Sequence, residues 1–169
     1  YSRYLLTDDF FVQDQSHCTE TRFWTLENRN KPLVFKELKK LWDYDKHSLP
    51  WVKGVYNESN TLLLDDSPYK ALRNPPNTGI FPRTYCFQDA NDNSLVGGSV
   101  WLAARSLALE IVGPGGDLRN YLEGLAMAQD VQKYVEQRPF GQNAITTTHP
   151  SWEFYLQVIG DGCEYPYIP

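Results

Sequence analysis

The stretch "NTLLLDDSPYKAL", residues 60–72, constrains the fold more than any other part of this chain. Three leucines in a row, bounded by Asn-Thr before and Asp-Asp-Ser-Pro after, are too short for a helix. They match a short strand, Leu62 to Leu64, buried on both faces. A strand of that kind belongs inside a sheet covered by helices, and its carboxyl end is where such sheets expose ligand-binding groups. Asp65 and Asp66 stand at that end. Adjacent carboxylates repel, so the pair is favourable when a cation, a helix N-terminus or hydrogen-bond donors offset the charge. A hard ion such as Mg²⁺ fits one or two carboxylates completed by waters and phosphate oxygens. Equally, Asp66 or Ser67 could cap a helical turn that begins with Pro68.

The surrounding pattern alternates. "DDFFVQ" predicts a short strand, and "QDQSHCTETRFWTLENRNKP" an irregular polar loop. "PLVFKELKKLWDY", with apolar residues at 34, 35, 38, 41 and 42, has the spacing of an amphipathic helix. "PYKAL" predicts one or two helical turns, "NPPNTG" a loop and "IFPRTY" a short edge-like strand. "SLVGGSVWLAARSLALEI" reads as a helix. "LRNYLEGLAMAQDVQKYVEQ" reads as a second long helix capped by Asp117, with Leu118, Leu122, Leu125, Val131 and Val135 on its core face. The tail, "WEFYLQVIGDGCEYPYIP", reads as an aromatic-rich loop whose Trp152, Phe154, Tyr155, Tyr165 and Tyr167 serve packing. Strands alternating with helices over 169 residues predict one α/β domain with at least part of its sheet parallel.

Composition narrows the partners. A net charge of -5 leaves no electrostatic footprint for nucleic acid, and the densest basic patch is the small cluster Lys36, Lys39, Lys40. No apolar run approaches the ~20 residues that cross a bilayer. Cys18, Cys86 and Cys163 are odd in number and far apart, which argues against a disulfide framework and for a reducing compartment. His17, His47 and His149 are too scattered for a metal site. "GPGGDLRN" is glycine-rich before a helix but lacks the Lys-Ser/Thr ending of a phosphate-binding P-loop, so it reads as a turn.

"TLLLDDSPYKAL" resembles the fourth motif of the haloacid dehalogenase superfamily, in the branch related to the RNA polymerase II C-terminal-domain phosphatases. "KPLVFKELKKLW" looks like that branch's third motif, a Lys followed by an acid and Leu on a helix. With "DQSHCTET", "NTLLLDDSPYKALRNPPNTGIFPRTY" and "DLRNYLEGLA", the resemblance is to plant-type members and covers roughly residues 10 to 135. It implies a partial three-layer fold with a parallel sheet and additional C-terminal helices. It implies further that Asp65 binds Mg²⁺, that Asp66 supports the metal shell, and that Lys36 contacts the phosphoryl group of a phosphoserine or phosphothreonine peptide. From the residues alone, Lys36 reads as a solvated lysine on a polar helix face, as do Lys39 and Lys40.

The superfamily's nucleophile is the first Asp of a D-x-D motif ending an apolar strand. The near candidates, Asp8-Asp9-Phe10 and Asp14-Gln15-Ser16, lack either that strand or the second Asp. The resemblance therefore implies the C-terminal half of a phosphatase domain, inactive unless an N-terminal segment or second chain completes it. Two other readings stay open: a noncatalytic protein-binding module on the same fold, as in the presequence receptor of the mitochondrial inner-membrane translocase, or a structural or storage protein. The expected setting is intracellular, nuclear or cytoplasmic, with mitochondria as the alternative, and without a membrane or nucleic-acid partner.

Overall fold

A computed structural model describes residues 18–43, 53–83 and 116–160. The strand expected in "DDFFVQ", the helix expected over 94–111 and the last nine residues of the tail lie outside them. The described residues form a mixed α/β structure with two small sheets and four α-helices.

The first sheet is antiparallel. Strand β1 (Thr19–Trp24) pairs with β2 (Pro32–Phe35), Thr19 lying opposite Phe35 and Trp24 opposite Pro32. Sequence pattern predicts a loop for β1, yet its residues alternate between half-buried and exposed, the period of a strand with one wet face. Polar side chains on the outward positions hide that period from a search for apolar runs. Asn28 and Thr25 close the hairpin: Thr25 N–H donates to Lys31 O at 3.0 Å, and Asn28 N–H to Thr25 Oγ1 at 3.2 Å.

The helix expected across 32–44 divides. Leu33, Val34 and Phe35 are buried strand residues, and only Leu38–Trp42 turns into helix α1. Three consecutive buried apolar residues satisfy the helical spacing and the buried-strand pattern equally, and β1 decides between them by offering its edge.

The second sheet is parallel. Strand β3 (Leu63–Leu64) pairs with β4 (Gly79–Ile80), with Leu63 beside Gly79 and Leu64 beside Ile80. Leu63 is buried but Leu64 is exposed, so the strand is covered on one face among the described residues. Between the two runs a 3-10 helix, η1 (Pro68–Ala71), with Pro68 in its first turn as expected. The loop "NPPNTG" bends through Asn77 at φ 60°, a left-handed conformation that Asn tolerates.

The long C-terminal helix also divides, into α2 (Asp117–Ala126) and α3 (Val131–Gln137). Gly116 occupies the N-cap position expected of Asp117, which is instead the first helical residue. Asp130 accepts a hydrogen bond from Lys133 N–H at 3.0 Å and so starts a new helix where the sequence spacing would let the old one continue. The expected core face holds: Leu118, Leu125, Val131 and Val135 close on Ile80, with Leu122 packed against them. The tail is corrected over its first part, because Trp152–Gly160 is helix α4 and buries Tyr155 and Val158 against Leu33, Phe35 and Tyr69.

Two cores result, one around β4, α2 and α3, the other around β2, η1 and α4. No helix among the described residues is long and apolar enough to cross a membrane.

Beyond α3 the chain returns beside β4. Phe81 and Gly141 form a parallel bridge, and Gln142 N–H donates to Phe81 O at 2.6 Å. Gly141 sits at φ 79°, where a Cβ would lie 2.2 Å from the Phe81 carbonyl oxygen. Replacement Gly141→Ala is expected to cost more than about 1 kcal/mol, read as a lowered urea midpoint, since it meets both a left-handed backbone and a clash. In the same core, burial pushes the Tyr121 phenol up to about 12 from 10.0, with Tyr134 adding to the effect. A raised folded value means that its contribution to stability is intact below the ordinary value and is lost as pH rises through about 12. Tyr121→Phe should therefore flatten the alkaline limb of the stability profile, measured by denaturant titration at successive pH values.

Candidate functional site

Asp65 follows β3 directly, and its backbone N–H donates to Ile80 O at 3.3 Å, which extends the parallel ladder by one bond. Its carboxylate is thus held at the carboxyl end of a parallel strand. The side chain is only 6% exposed, and a carboxylate so buried requires compensation.

Three donors supply it. Lys36 Nζ lies 3.0 Å from Asp65 Oδ2, and Lys70 Nζ lies 2.9 Å from Oδ1 and 3.1 Å from Oδ2. Ser67 N–H donates to Oδ1 at 2.9 Å, an Asx-turn that bends the chain into η1. The cap anticipated from Asp66 or Ser67 does not form, since Ser67 occupies the N-cap position of η1 without a side-chain cap bond. Asp66 is exposed; its Oδ1 accepts from Ser67 Oγ at 3.0 Å and its carbonyl from Gln142 Nε2 at 2.8 Å.

Lys36 is placed by β2, not by a helix. It is the residue after the strand, and its N–H donates to Lys70 O at 2.8 Å, so the two lysines are joined through their backbones as well as through Asp65. Asn74 braces the connection from β2 to α1: its Nδ2 donates to Lys36 O at 2.8 Å, and its Oδ1 accepts from Leu38 N–H at 2.9 Å. Arg73 holds the outer side, reaching Glu37 at 3.7 Å, Ile159 O at 2.8 Å and the face of Phe35 at 4.6 Å. Thr19 Oγ1 donates to the same Glu37 carboxylate. Lys39 and Lys40 are exposed on α1 and take no part.

The two lysines open into a cleft of about 280 Å³ lined by Cys18, Lys31, Pro32, Val34, Lys36, Tyr69 and Lys70. Among the described residues its wall carries three ammonium groups and no carboxylate, with Asp65 behind it. Such a surface suits an oxyanion, because both site lysines keep donors beyond those given to Asp65. Cys18 faces the cleft, but burial pushes its thiol up from 9.0 against the pull of Lys36 and Lys70, which leaves it a thiol at neutral pH and a poor nucleophile.

As a magnesium site the donor set is incomplete. Asp65 and Asp66 are hard oxygen donors of the right kind. No group of three His, Cys, Asp or Glu side chains gathers among the described residues, and both Asp65 oxygens already face ammonium groups. Further ligands would have to come from elsewhere, and Lys70 would have to yield.

The structure therefore joins Lys36 to Asp65, while Asp66 stands beside them facing outward. Sequence reasoning passed over Lys70, Lys31 and Tyr69. Lys70 was legible in principle, because a lysine one helical turn past an Asx-turn can reach back to the turn's own aspartate. Also overlooked was Asp43-Tyr44-Asp45, which has D-x-D spacing. Asp43 closes helix α1 and is not the end of an apolar strand, so it lacks the setting of a nucleophile.

Comparison with family models, curated proteins and solved structures finds no match for this chain.

Asn74→Ala removes both braces on the β2–α1 connection. It should lower stability by about 1–3 kcal/mol in chemical denaturation, as expected when partly buried backbone groups lose their partners. A loss below ~0.5 kcal/mol would show that water replaces the amide without cost and that Lys36 is held by its other contacts.

Proposed function

We propose that this chain supplies the lysine and aspartate half of a phosphoserine or phosphothreonine protein phosphatase site of the haloacid dehalogenase type. The observation that carries the reading is the 3.0 Å pair between Lys36 and Asp65, two residues far apart in sequence, at the carboxyl end of a parallel strand. That is the position at which α/β sheets meet their ligands. The family assignment itself rests on the motif resemblance, and the plant-type branch and the phosphopeptide substrate are proposed with it.

In this reading Lys36 and Lys70 bind the phosphoryl oxygens, and Asp65 holds both ammonium groups at the spacing that meets them. Asp66 contributes a further carboxylate at the rim. Asp65, once Lys70 yields and with ligands from a complementing segment, would hold Mg²⁺, which would neutralise charge on the transferring group. The nucleophilic Asp belongs to that segment, an upstream or separate strand ending in D-x-D. Without it the chain binds phosphate and does not turn it over. A noncatalytic phosphoprotein-binding module is the second reading, favoured by one observation: both oxygens of Asp65 are already neutralised by lysines, so the cleft can hold an anion with no metal.

Titration calorimetry with a phosphoserine peptide and its unphosphorylated twin tests the shared part. The phosphopeptide should bind more tightly, and Lys36→Ala should weaken it about tenfold or more, as expected for loss of a charge-assisted contact. Lys40→Ala should change nothing. Equal losses in both variants, or no preference for phosphate, would sink the site. Enzymatic activity is tested by adding a D-x-D-bearing segment: Mg²⁺-dependent hydrolysis should then appear and be abolished by Asp65→Asn. Tight binding with no hydrolysis under any complementation would leave the binding module.

A further inference from the structure

The cleft has a second end that the phosphoryl site does not use. Lys31 precedes β2 and Lys36 follows it, so the strand Pro32–Phe35 separates them. At ~3.3 Å per strand residue their Cα atoms are about 16 Å apart, so their side chains rise from opposite ends of the strand. Each ammonium group has its own anchor, Lys36 on Asp65 and Lys31 over the ring of Tyr69.

Lys31 does not stand alone there. It is exposed and lies over the ring of Tyr69, 5.8 Å from the centroid. Tyr69 is 5% exposed, and its hydroxyl is buried with no hydrogen-bond partner among the described residues. The neighbouring hydroxyl is the chief cause that pushes the Lys31 ammonium up from its ordinary value, although the pair does not reach the geometry of a formed hydrogen bond. Asp65 and Asp66 favour the charged form more weakly from a distance. This part of the cleft thus holds an ammonium and a phenol, both with protons to donate, and the described residues that line it include no carboxylate to accept them. A buried hydroxyl without an acceptor is costly. The group that would satisfy both is an oxyanion, acceptor on every oxygen.

We propose that Lys31 and the Tyr69 hydroxyl form a second phosphate subsite, and that the ligand of this cleft is a peptide carrying two phosphorylated residues. One phosphate meets Lys36 and Lys70, the other Lys31 and Tyr69. The apolar floor between them, Pro32 and Val34, carries the peptide segment that joins the two. The inference rests on the phosphate-binding reading of Lys36 and Lys70.

The test compares synthetic peptides of one sequence, with a single phosphoserine or with two phosphoserines separated by one, two or three residues, by titration calorimetry on the full chain. At least one doubly phosphorylated spacing should bind about tenfold more tightly than the single phosphopeptide. Lys31→Met should remove that gain and cost the single phosphopeptide far less than it costs the doubly phosphorylated one. Lys39→Met should leave the gain intact; a matching loss there would mean general attraction between charges and overturn the subsite. Tyr69→Phe should reduce the gain while leaving the melting temperature equal or higher, because the hydroxyl it removes has no partner among the described residues. A gain of full size in both Lys31→Met and Tyr69→Phe would overturn the proposal, as would equal affinity for all the peptides. Failure of the single phosphopeptide to bind at all would instead overturn the phosphoryl site itself, which keeps the two results separate.

Discussion

The structure around β2 and β3 depends on one buried carboxylate. Removing Asp65 from water costs several kcal/mol in free energy unless opposite charge and hydrogen bonds replace the lost hydration. Those replacements come from separate stretches of chain: Lys36 from the end of β2, Lys70 from η1, and the Ser67 N–H from the turn between. Among the described residues the first sheet and the second share no strand-to-strand bonds. Asp65 is where they meet, through an ion pair from β2 and a backbone bond to β4. Because each lysine is still partly exposed, the cluster retains contact with solvent and with whatever enters the cleft.

Charge explains why the cluster is built this way. One carboxylate between two ammonium groups leaves a positive surplus facing the cleft, and the carboxylate stops the lysines from dispersing into solvent. The backbone bond from Lys36 to Lys70 and the Asn74 brace fix the chain beneath them, which lowers the ordering cost of binding there. The acidic net charge of the whole chain does not conflict with this. A local surplus against a low-dielectric wall governs what binds in the cleft, and the global charge governs non-specific association.

Of the candidate site the Lys36–Asp65 pair was legible in the sequence, and much of the fold around it was not. The strand-Asp-Asp-turn pattern located Asp65 at a sheet end, and the motif resemblance selected Lys36 from three neighbouring lysines. Neither β1 nor the division of 32–44 into strand and helix could be read from periodicity. In "TETRFW" the inward residues include threonines, and in "PLVFKEL" the strand is short enough for its apolar residues to satisfy the helical spacing too. The break between α2 and α3 follows from one side chain, Asp130, which suits a cap but leaves the apolar spacing of a continuous helix undisturbed. Lys31, Lys70 and Tyr69 escaped because their roles arise from tertiary proximity: β2 and η1 pack together and bring their side chains to one cleft.

The sharing of Asp65 also couples what the cleft holds to what the carboxylate needs. A phosphoryl group that draws Lys70 toward itself leaves Asp65 with Lys36 and the Ser67 N–H as its remaining partners. The carboxylate is buried, so lost compensation is paid at interior rather than surface strength. Occupation by an anion and attraction of a cation to Asp65 are then linked, and by reciprocity each favours the other by the same factor. The cluster is satisfied as it stands, and any anion that draws a lysine away from Asp65 leaves the carboxylate more receptive to a cation.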